Sequence, residues 1–501
     1  MGIALTTGTD NVAVGENAGD ALTSGSDNTF VGDEAGGATT TGANNIAIGS
    51  AALDGNTTAS DNIAIGINAL GASNTSANNV AIGSGAMDAN TGGSGVAIGK
   101  DALGANTTGG SNTAVGYAAL TANTTASNNT GIGVSALAAN TTGAGNTAVG
   151  VGSLDANTTA SNNVAVGNDA LGANTTGTGN TAVGKDALLD HTTGNYNTAL
   201  GYASLYESTT GANNTAVGAS ASQNITTGAD NVALGVNALL DATTGNRNTA
   251  LGTSAGANFT TGDDNTAIGR MALFTATTIS DTVAVGKNAL YSMTTGAGNT
   301  AVGYEAGTTL TTAANTTAIG YEALTALTTG NNNTAVGKEA AEATTTGTDN
   351  TAIGKGALGA NTTGTGNTAV GSSALDAVTT GLGNTAIGED ALGSNTGSYN
   401  SAFGRHALYL NTTGDGLTAV GHQALQANTT GDDNVAVGGY SASSGVYAPL
   451  YANTTGSNNV GIGVGALRTN STASNNTAVG KSALTANTTG HENVAMGANA
   501  M

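Results

Sequence analysis

Apolar and polar positions follow a pattern along this chain that repeats every 17 residues and is anchored on glycine. A phrase such as Asn-Thr-Ala-Val-Gly, found at Asn112 to Gly116, closes on an anchor glycine 29 times between Gly15 and Gly497. Of the 28 intervals between anchor glycines, 25 are 17 residues long, two are 16 and one is 25. A short fixed period predicts a repeat architecture, in which each unit buries its apolar face against its neighbours.

Each turn is numbered here from its anchor glycine at position 0. Position −1 is apolar in all 29 copies, and position −3 is Thr, Val or Ile in 28, with Ser401 as the exception. Two β-branched residues two apart point to the same side of a strand, so positions −4 to −1 predict a short β-strand with −3 and −1 facing the interior. Leu at +4 follows a charged corner at +1 and +2, as in Lys185-Asp186, and adds a second apolar patch. The remaining Ala-Asn-Thr-Thr-Gly stretch predicts a more exposed arc.

This pattern predicts an all-β fold, a rod-shaped parallel β-solenoid (β-roll) of 17-residue turns with about 29 repeats, in a single continuous array over residues 1–501. An irregular insertion at about 439–458, which holds the only proline, Pro449, falls after +4, where surface loops tolerate changes in length. Helical repeats are disfavoured because Gly and β-branched residues recur in every unit. Disorder is disfavoured because the β-branched residues keep their phase.

Two further positions are nearly invariant along the array. Position −4 is Asn in 25 copies, which predicts a ladder of stacked side-chain amides along the axis; its members include Asn112, Asn146, Asn180, Asn214 and Asn248. Position −2 is Ala in 26 copies. If −1 and −3 face inward, −2 faces outward, and a strip of small residues indicates close approach by another chain, with Ala182, Ala216 and Ala250 as interface candidates. The alternative is that two arcs of one chain pack together in a flat solenoid and need a small residue there.

Composition excludes several classes of function. The formal net charge is −22 with only 10 Lys and Arg, which argues against binding to nucleic acid or to anionic lipid. There is no Cys, so no disulfide framework or thiolate metal site is expected. No run of 18 apolar residues is present, so no membrane insertion is expected, and Met1 to Leu5 lacks the basic end and apolar stretch of a signal peptide.

Candidate catalytic residues are lacking, and we expect no enzyme and no cofactor. The four histidines, His191, His406, His422 and His491, occur singly, and neither a Gly-x-Ser-x-Gly elbow nor a phosphate loop occurs. His406 and His422 occupy the corners of neighbouring repeats, so we expect them to be close in space, as solvated corner residues rather than as a metal site. Calcium binding is a lesser alternative, since Asp often precedes the ladder Asn, as at Asp10, Asp61, Asp230, Asp264 and Asp433. Ice binding is disfavoured because the Thr-Thr ladders lack a flat Thr-x-Thr face.

Asn-Thr-Thr recurs at one position of the turn and forms an acceptor sequon for N-glycosylation. Because the stretch predicts an exposed arc, the candidate glycosylation sites are Asn106, Asn123, Asn140, Asn157, Asn174, Asn361, Asn411, Asn428 and Asn487. The alternative interpretation is that Asn and Thr simply suit turns and strands, and that the sequon is a by-product.

The phrase Asn-x-Ala-Val/Ile-Gly-x-x-Ala/Ser, as at Asn62 to Gly66 and Asn163 to Gly167, resembles the repeat of the YadA-like heads of trimeric autotransporter adhesins. The resemblance covers essentially the whole chain. It implies a left-handed parallel β-roll, three chains side by side, and display on a bacterial surface. Similar arrays occur in phage tail fibres and in large bacterial surface proteins. The repeat here is longer than is usual in those heads, and no coiled-coil stalk, anchor barrel or chaperone domain is recognisable.

These observations together predict a non-catalytic structural protein, an extracellular fibre, adhesin shaft or filament subunit at a bacterial cell surface. Its expected partners are further copies of itself, packed laterally as a trimer or end to end as a filament, and a host surface or carbohydrate. Neither end shows a distinct cap, so we expect either a segment of a longer protein or units that add end to end. The alternatives are a phage tail-fibre shaft and a carbohydrate- or ion-binding solenoid.

Overall fold

The structure, a computed structural model, describes residues 4–72, 75–443 and 445–501. Two compact units divide the chain, Met1–Arg247 and Asn248–Met501. Within the described ranges each turn carries one short β-strand and neither unit contains a helix. The predicted parallel β-solenoid is confirmed in both units, whereas their union in one continuous array stays a prediction.

Fourteen strands lie in the first unit and fifteen in the second, almost all of them three residues long. Those of the first unit are β1 (Val12–Val14), β2 (Thr29–Val31), β3 (Ile46–Ile48), β4 (Ile63–Ile65), β5 (Val80–Ile82), β6 (Gly95–Ile98), β7 (Asn112–Val115), β8 (Thr130–Ile132), β9 (Thr147–Val149), β10 (Val164–Val166), β11 (Thr181–Val183), β12 (Thr198–Leu200), β13 (Thr215–Val217) and β14 (Val232–Leu234). Those of the second unit are β15 (Thr249–Leu251), β16 (Thr266–Ile268), β17 (Val283–Val285), β18 (Thr300–Val302), β19 (Thr317–Ile319), β20 (Thr334–Val336), β21 (Thr351–Ile353), β22 (Thr368–Val370), β23 (Thr385–Ile387), β24 (Ser401–Phe403), β25 (Thr418–Val420), β26 (Val435–Val437), β27 (Val460–Ile462), β28 (Thr477–Val479) and β29 (Val494–Met496).

Consecutive strands within each unit pair in parallel with the same positions in register. Ala165 in β10 lies beside Ala148 in β9 and Ala182 in β11. The rest of the turn stacks as well, since the amide of Thr107 donates to the carbonyl of Thr124 at 2.8 Å, one turn further on. The whole turn therefore repeats at the strand spacing of about 4.8 Å.

The direction of the strand side chains is the reverse of the sequence-based prediction. Ala165 at −2 is fully buried, whereas Val164 and Val166 at −3 and −1 are partly exposed. The prediction that −3 and −1 face the interior is wrong, because the solenoid is too thin to hold β-branched residues there. Leu at +4, such as Leu171, is fully buried and fills that space from the opposite wall. Only a methyl group fits at −2.

Three exceptional turns show how little volume the interior has. Phe30 replaces Ala at −2 and is buried, and Gly19 and Gly36 replace Leu at +4 in the preceding turn and in its own turn. A Cβ added to Gly19 or Gly36 would come within 2.8 Å or 2.7 Å of the Phe30 ring. Buried Phe259 and Leu310 at +7 are likewise each accompanied by a glycine at +4. In these turns the loss of a leucine makes room for the larger residue. A leucine is not always given up, since the buried residues Met293, Leu327 and Val378 at +7 lie in turns that keep a buried Leu at +4.

Two separate constraints, on the backbone conformation and on the space around Cβ, require glycine at the anchor position. Gly150 has φ +141°, a backbone conformation that other residues rarely adopt. A Cβ there would lie 2.2 Å from the carbonyl oxygen of Gly167 in the next turn. Because every turn stacks at the same distance, the same position is glycine throughout.

Position −5 is also left-handed, with φ between 53° and 64° at the five Asp residues named above as calcium candidates. Asp, Asn and Gly tolerate this conformation better than other residues. The backbone therefore explains the recurrence of Asp before the ladder Asn without a metal ion.

We expect Gly150→Ala to destabilise the first unit by more than about 2 kcal/mol, because a left-handed backbone and a backbone clash add up. Gly104→Ala is the matched control, since its Cβ would lie 3.3 Å from the nearest atom, the carbonyl oxygen of Asp101. Thermal unfolding, with hydrogen exchange of the peptides around β9 and β10, measures both. Equal losses for the two variants would contradict the stacking constraint.

Candidate functional site

The outward sheet face, made of positions −3 and −1 in every turn, is the largest regular surface of each unit. Leu200 and Leu234 at −1 are 46% and 43% exposed. In all 29 turns these two positions hold only Thr, Val, Ile, Leu, Ser, Phe or Met, and never a charged residue. Position −1 is apolar in every turn, and a monomeric soluble protein rarely exposes a long column of apolar residues.

The Ala strip that the sequence suggested as an interface lies on the opposite side of the same strands. Ala182, Ala216 and Ala250 are each 0% exposed and pack inside their own turns. The prediction that they face outward and contact another chain is wrong. Of the two interpretations of this position, the structure supports the one in which two arcs of a single chain need a small residue between them.

The Asn residues at −4 form a hydrogen-bonded ladder inside each unit, interrupted at Gly95 in the first and at Thr282, Thr316 and Leu417 in the second. The Oδ1 atom of Asn129 accepts the backbone amide of Asn146 at 2.9 Å, and the Nδ2 atom of Asn146 donates to the carbonyl of Ala160 at 2.9 Å. Each side chain thus satisfies two backbone groups of the following turn. All five predicted ladder residues are buried and make bonds of this kind, namely Asn112, Asn146, Asn180, Asn214 and Asn248.

A second amide ladder runs through position +7, which is the Asn of the Asn-Thr-Thr sequon. Nδ2 of Asn140 donates to Oδ1 of Asn123 at 3.0 Å and to the carbonyl of Gly143 at 3.0 Å. The interior therefore contains two polar ladders and two apolar columns, Ala and Leu. The sequence-based prediction missed this second ladder, although the Asn that recurs at +7 in about half of the turns was its signal.

The prediction that the sequons lie on an exposed arc is wrong. The acceptor residues Asn106, Asn123, Asn140, Asn157, Asn174, Asn361, Asn411 and Asn428 are at most 2% exposed, and Asn487 is partly buried. The nitrogen that would carry a glycan donates hydrogen bonds inside the turn, to Asn470 and Gly490 in the case of Asn487. A folded solenoid does not present these amides to a transferase.

His191 interrupts the second ladder at +7. Its side chain is 0% exposed, and Nε2 lies 2.7 Å from the carbonyl oxygen of Gly194. One turn earlier, Oδ1 of Asn174 has no hydrogen-bond partner among the described residues. Burial lowers the pKa of the His191 imidazole from its usual 6.5, and the contact with the Gly194 carbonyl offsets this only in part. The ring is therefore a neutral interior residue.

The corner at +1 and +2 carries many of the charges and several of the rings. Nε of Arg405 lies 2.9 Å from a carboxylate oxygen of Glu389, and Nε2 of His406 lies 3.3 Å from Asp390. Lys185 lies over the ring of Tyr202 in the next turn, with Nζ 5.8 Å from its centroid. In the second unit a chain of touching rings, the aromatic strip, follows the same corner; it consists of His406, Tyr409, His422, Tyr440, Tyr447 and Tyr451.

Carboxylates converge at one place among the described residues. Glu322, Glu339 and Glu342 can bring one oxygen each within 4.8 Å of the others. Burial and the neighbouring Glu339 and Glu322 raise the pKa of the Glu342 carboxyl. An open depression of about 600 Å³ beside them is lined by Lys355 and Asp376 as well. The calcium candidates at −5 do not belong to this group.

Among the histidines, the structure brings His406 and His422 together, with ring centroids 6.3 Å apart. His191 lies in the interior of the first unit, and Nδ1 of His491 accepts the backbone amide of Ser474 at 2.9 Å. The two neighbouring histidines are therefore members of a row of rings.

No protein-family model and no curated protein matches this chain. Within the residues that the structure describes, no helix is long and apolar enough to cross a membrane.

We expect the first unit to lose stability below about pH 6.5, because unfolding frees the His191 ring to bind a proton that the folded interior disfavours. The contribution is complete above the unfolded pKa of 6.5 and falls as the pH drops below it, by at most about 1.4 kcal/mol per pH unit. Hydrogen exchange of the peptides that cover 185–210, between pH 7.5 and 5, measures this local effect.

The matched control for that measurement is His191→Asn, which restores the ladder residue and removes the titrating group. Its exchange in the same segment should lose the pH dependence after correction for intrinsic exchange rates. An identical pH profile in both proteins would contradict the role of His191.

Proposed function

We propose that this chain is a non-catalytic structural protein, an extracellular β-solenoid fibre or adhesin shaft at a bacterial surface, which associates laterally with further copies of itself through the outward sheet face. The observation that carries the proposal is this face, two columns wide, apolar or hydroxyl-bearing throughout, and uncharged in every turn. Burial of such a surface contributes about 25 cal/mol for each Å² of apolar area removed from water.

Electrostatics favours association through this face over any other side. A chain with net charge −22 repels its own copies, and the corners at +1 and +2 carry many of the carboxylates. An interface at the corners would bring like charges together, whereas the outward sheet face brings none. Its periodicity also suits a second copy, because two solenoids built on one strand spacing keep their side chains in step along their length.

The resemblance to the YadA-like heads of trimeric autotransporter adhesins supports the same arrangement and implies three chains. Within this proposal the Val and Ile residues at −1 meet around the contact, while Ala at −2 stays inside each chain. Backbone ladders and amide ladders stiffen each unit, which suits a part that displays surface loops.

We expect the double variant Leu200→Glu with Leu234→Glu to abolish lateral association of the first unit, raising the dissociation constant at least about 100-fold, because two carboxylates would be buried without partners. Both side chains point outward, so the fold should persist. Analytical ultracentrifugation of the full chain, with circular dichroism as the check of folding, measures the change.

The matched control is Thr176→Glu with Thr210→Glu, which adds the same charge at exposed Thr residues of position +9. This variant should associate like the unmodified chain. A monomeric unmodified chain at all concentrations, or equal weakening by both double variants, would overturn the proposal.

A contrasting result is expected for Ala216→Glu, which lies in the strand between those of Leu200 and Leu234. Its carboxylate would enter an interior that has space only for a methyl group, so the turns around β13 should unfold rather than dissociate. Faster hydrogen exchange around β12 to β14 would show this. A well-folded but monomeric Ala216→Glu protein would instead return the interface to the Ala strip.

A further inference from the structure

Aromatic residues are scarce in this chain but concentrated at one place. The whole sequence has 12 Tyr, 4 Phe, 4 His and no Trp, and four of these tyrosines and two of the histidines lie between residues 406 and 451. This segment also contains the first part of the 25-residue interval and Pro449, the sole proline. The array departs from its period where its rings accumulate, so the stacking of turns does not explain them.

The rings of the aromatic strip touch in sequence along the corner of the second unit. Centroid separations are 5.2 Å from Tyr409 to His406, 6.3 Å from His406 to His422 and 5.9 Å from His422 to Tyr440. Continuing along the strip, they are 5.8 Å from Tyr440 to Tyr447 and 4.5 Å from Tyr447 to Tyr451. Six rings thus form one unbroken row across three consecutive turns.

The insertion completes this row without disturbing the sheet. Ser441 and Val446 form an antiparallel bridge, and the chain rejoins the stack where the carbonyl of Pro449 accepts the amide of Leu425 at 3.2 Å. Strands β26 and β27 keep their register across the insertion. The inserted residues therefore serve to place Tyr447 beside Tyr440 while leaving these rings 42% and 36% exposed.

Polar groups lie along the row of rings. Arg405 precedes His406 in the chain and pairs with Glu389 at 2.9 Å. Nε2 of His422 and Oε1 of Gln426 are buried and have no hydrogen-bond partner among the described residues. Gln426 occupies the same position of its turn as Tyr409 does one turn earlier. The strip thus combines two exposed tyrosines with polar side chains at its margin and with two buried polar atoms that lack a partner among the described residues.

We propose that the aromatic strip is a binding site for an uncharged oligosaccharide. The face of an aromatic ring carries partial negative charge, so it attracts the polarised C–H groups on the flat side of a pyranose ring. The ring hydroxyls of the sugar bond to Arg405, Glu389 and the tyrosine hydroxyls at the margin of the strip. A row of rings along the solenoid axis suits an extended chain of sugar units rather than a single one.

The charge around the strip selects among ligands that stack on aromatic rings. Nucleobases stack as well, but their phosphates are repelled by a chain of net charge −22. Glu389 and Asp390 beside the strip likewise disfavour acidic sugars. The site lies on the corner and not on the outward sheet face, so the inference stands apart from the proposed lateral association.

The test is saturation-transfer NMR and calorimetry with the full chain and three probes, cellohexaose, chitohexaose and an acidic hexamer of galacturonic acid. We expect binding of at least one of the first two and none of the third. Tyr447→Ala and Tyr440→Ala should each weaken it roughly tenfold, and Tyr447→Phe should leave it within about twofold, because the ring face carries the contact.

Tyr202→Ala is the matched control, since Tyr202 is an exposed corner tyrosine in the first unit that has no stacked ring beside it among the described residues. The Tyr202→Ala protein should bind the sugars as the unmodified chain does. Absence of binding to both uncharged probes, preference for the acidic hexamer, or equal loss in Tyr202→Ala would overturn the inference. Sedimentation of the same samples reports association separately. If sugar binding is lost while association persists, the proposed function is unaffected. If association is absent while sugar binding persists, the proposed binding site is unaffected.

Discussion

In-register stacking of the turns at one strand spacing is the constraint on which the rest of this structure depends. Each residue has the same position of the neighbouring turns directly above and below it, so whatever suits one turn must suit all of them. The anchor glycines follow from this, because their left-handed backbone passes within contact distance of the next anchor carbonyl. The amide ladders follow as well, since an Asn above another Asn can always complete its bonds with the same partners.

The thin interior is the second consequence. An ordinary domain fills its core with large aliphatic side chains, but here two facing arcs leave space for one leucine, two alanines and two amides per turn. Where Phe30 enters, Gly19 and Gly36 make room. The β-branched residues of the strands are therefore placed on the surface, which is an unusual outcome for Val and Ile. The same geometric restriction that gives the fold its regularity thus creates its exposed apolar face.

This exclusion explains which features could be predicted from the sequence and which could not. The turn length, the strand at each anchor glycine, and the Asn ladder at −4 are readable, because period and residue type alone determine them. The direction in which the strand side chains point could not be predicted. Alternation defines two faces of a strand but not which of them lies inside. Hydrophobicity favours Val and Ile within, whereas available volume favours Ala. The constancy of Ala165 and its counterparts was the correct signal, since a solvent-exposed position would vary more. The predicted exposure of the sequons was wrong for a related reason. Asn at +7 is polar and is therefore expected at the surface, and only the structure shows the ladder partners that it bonds in the interior.

The aromatic strip could be predicted only in part, since the sequence places His406 near His422 but does not join them to the tyrosines. Tyr409, His422 and Tyr447 are separated by 13 and 25 residues and share no motif, and only the stacking of turns aligns them. In a periodic protein the residues that obey the period maintain the scaffold, so selective binding requires departures from it. The charged corners can accept such departures, because they face solvent and carry no ladder. The outward sheet face cannot, because a contact that extends along many turns depends on every turn being alike. Lateral association and ligand recognition are therefore expected on different sides of the solenoid, the first where the repeat is most regular and the second where it is interrupted.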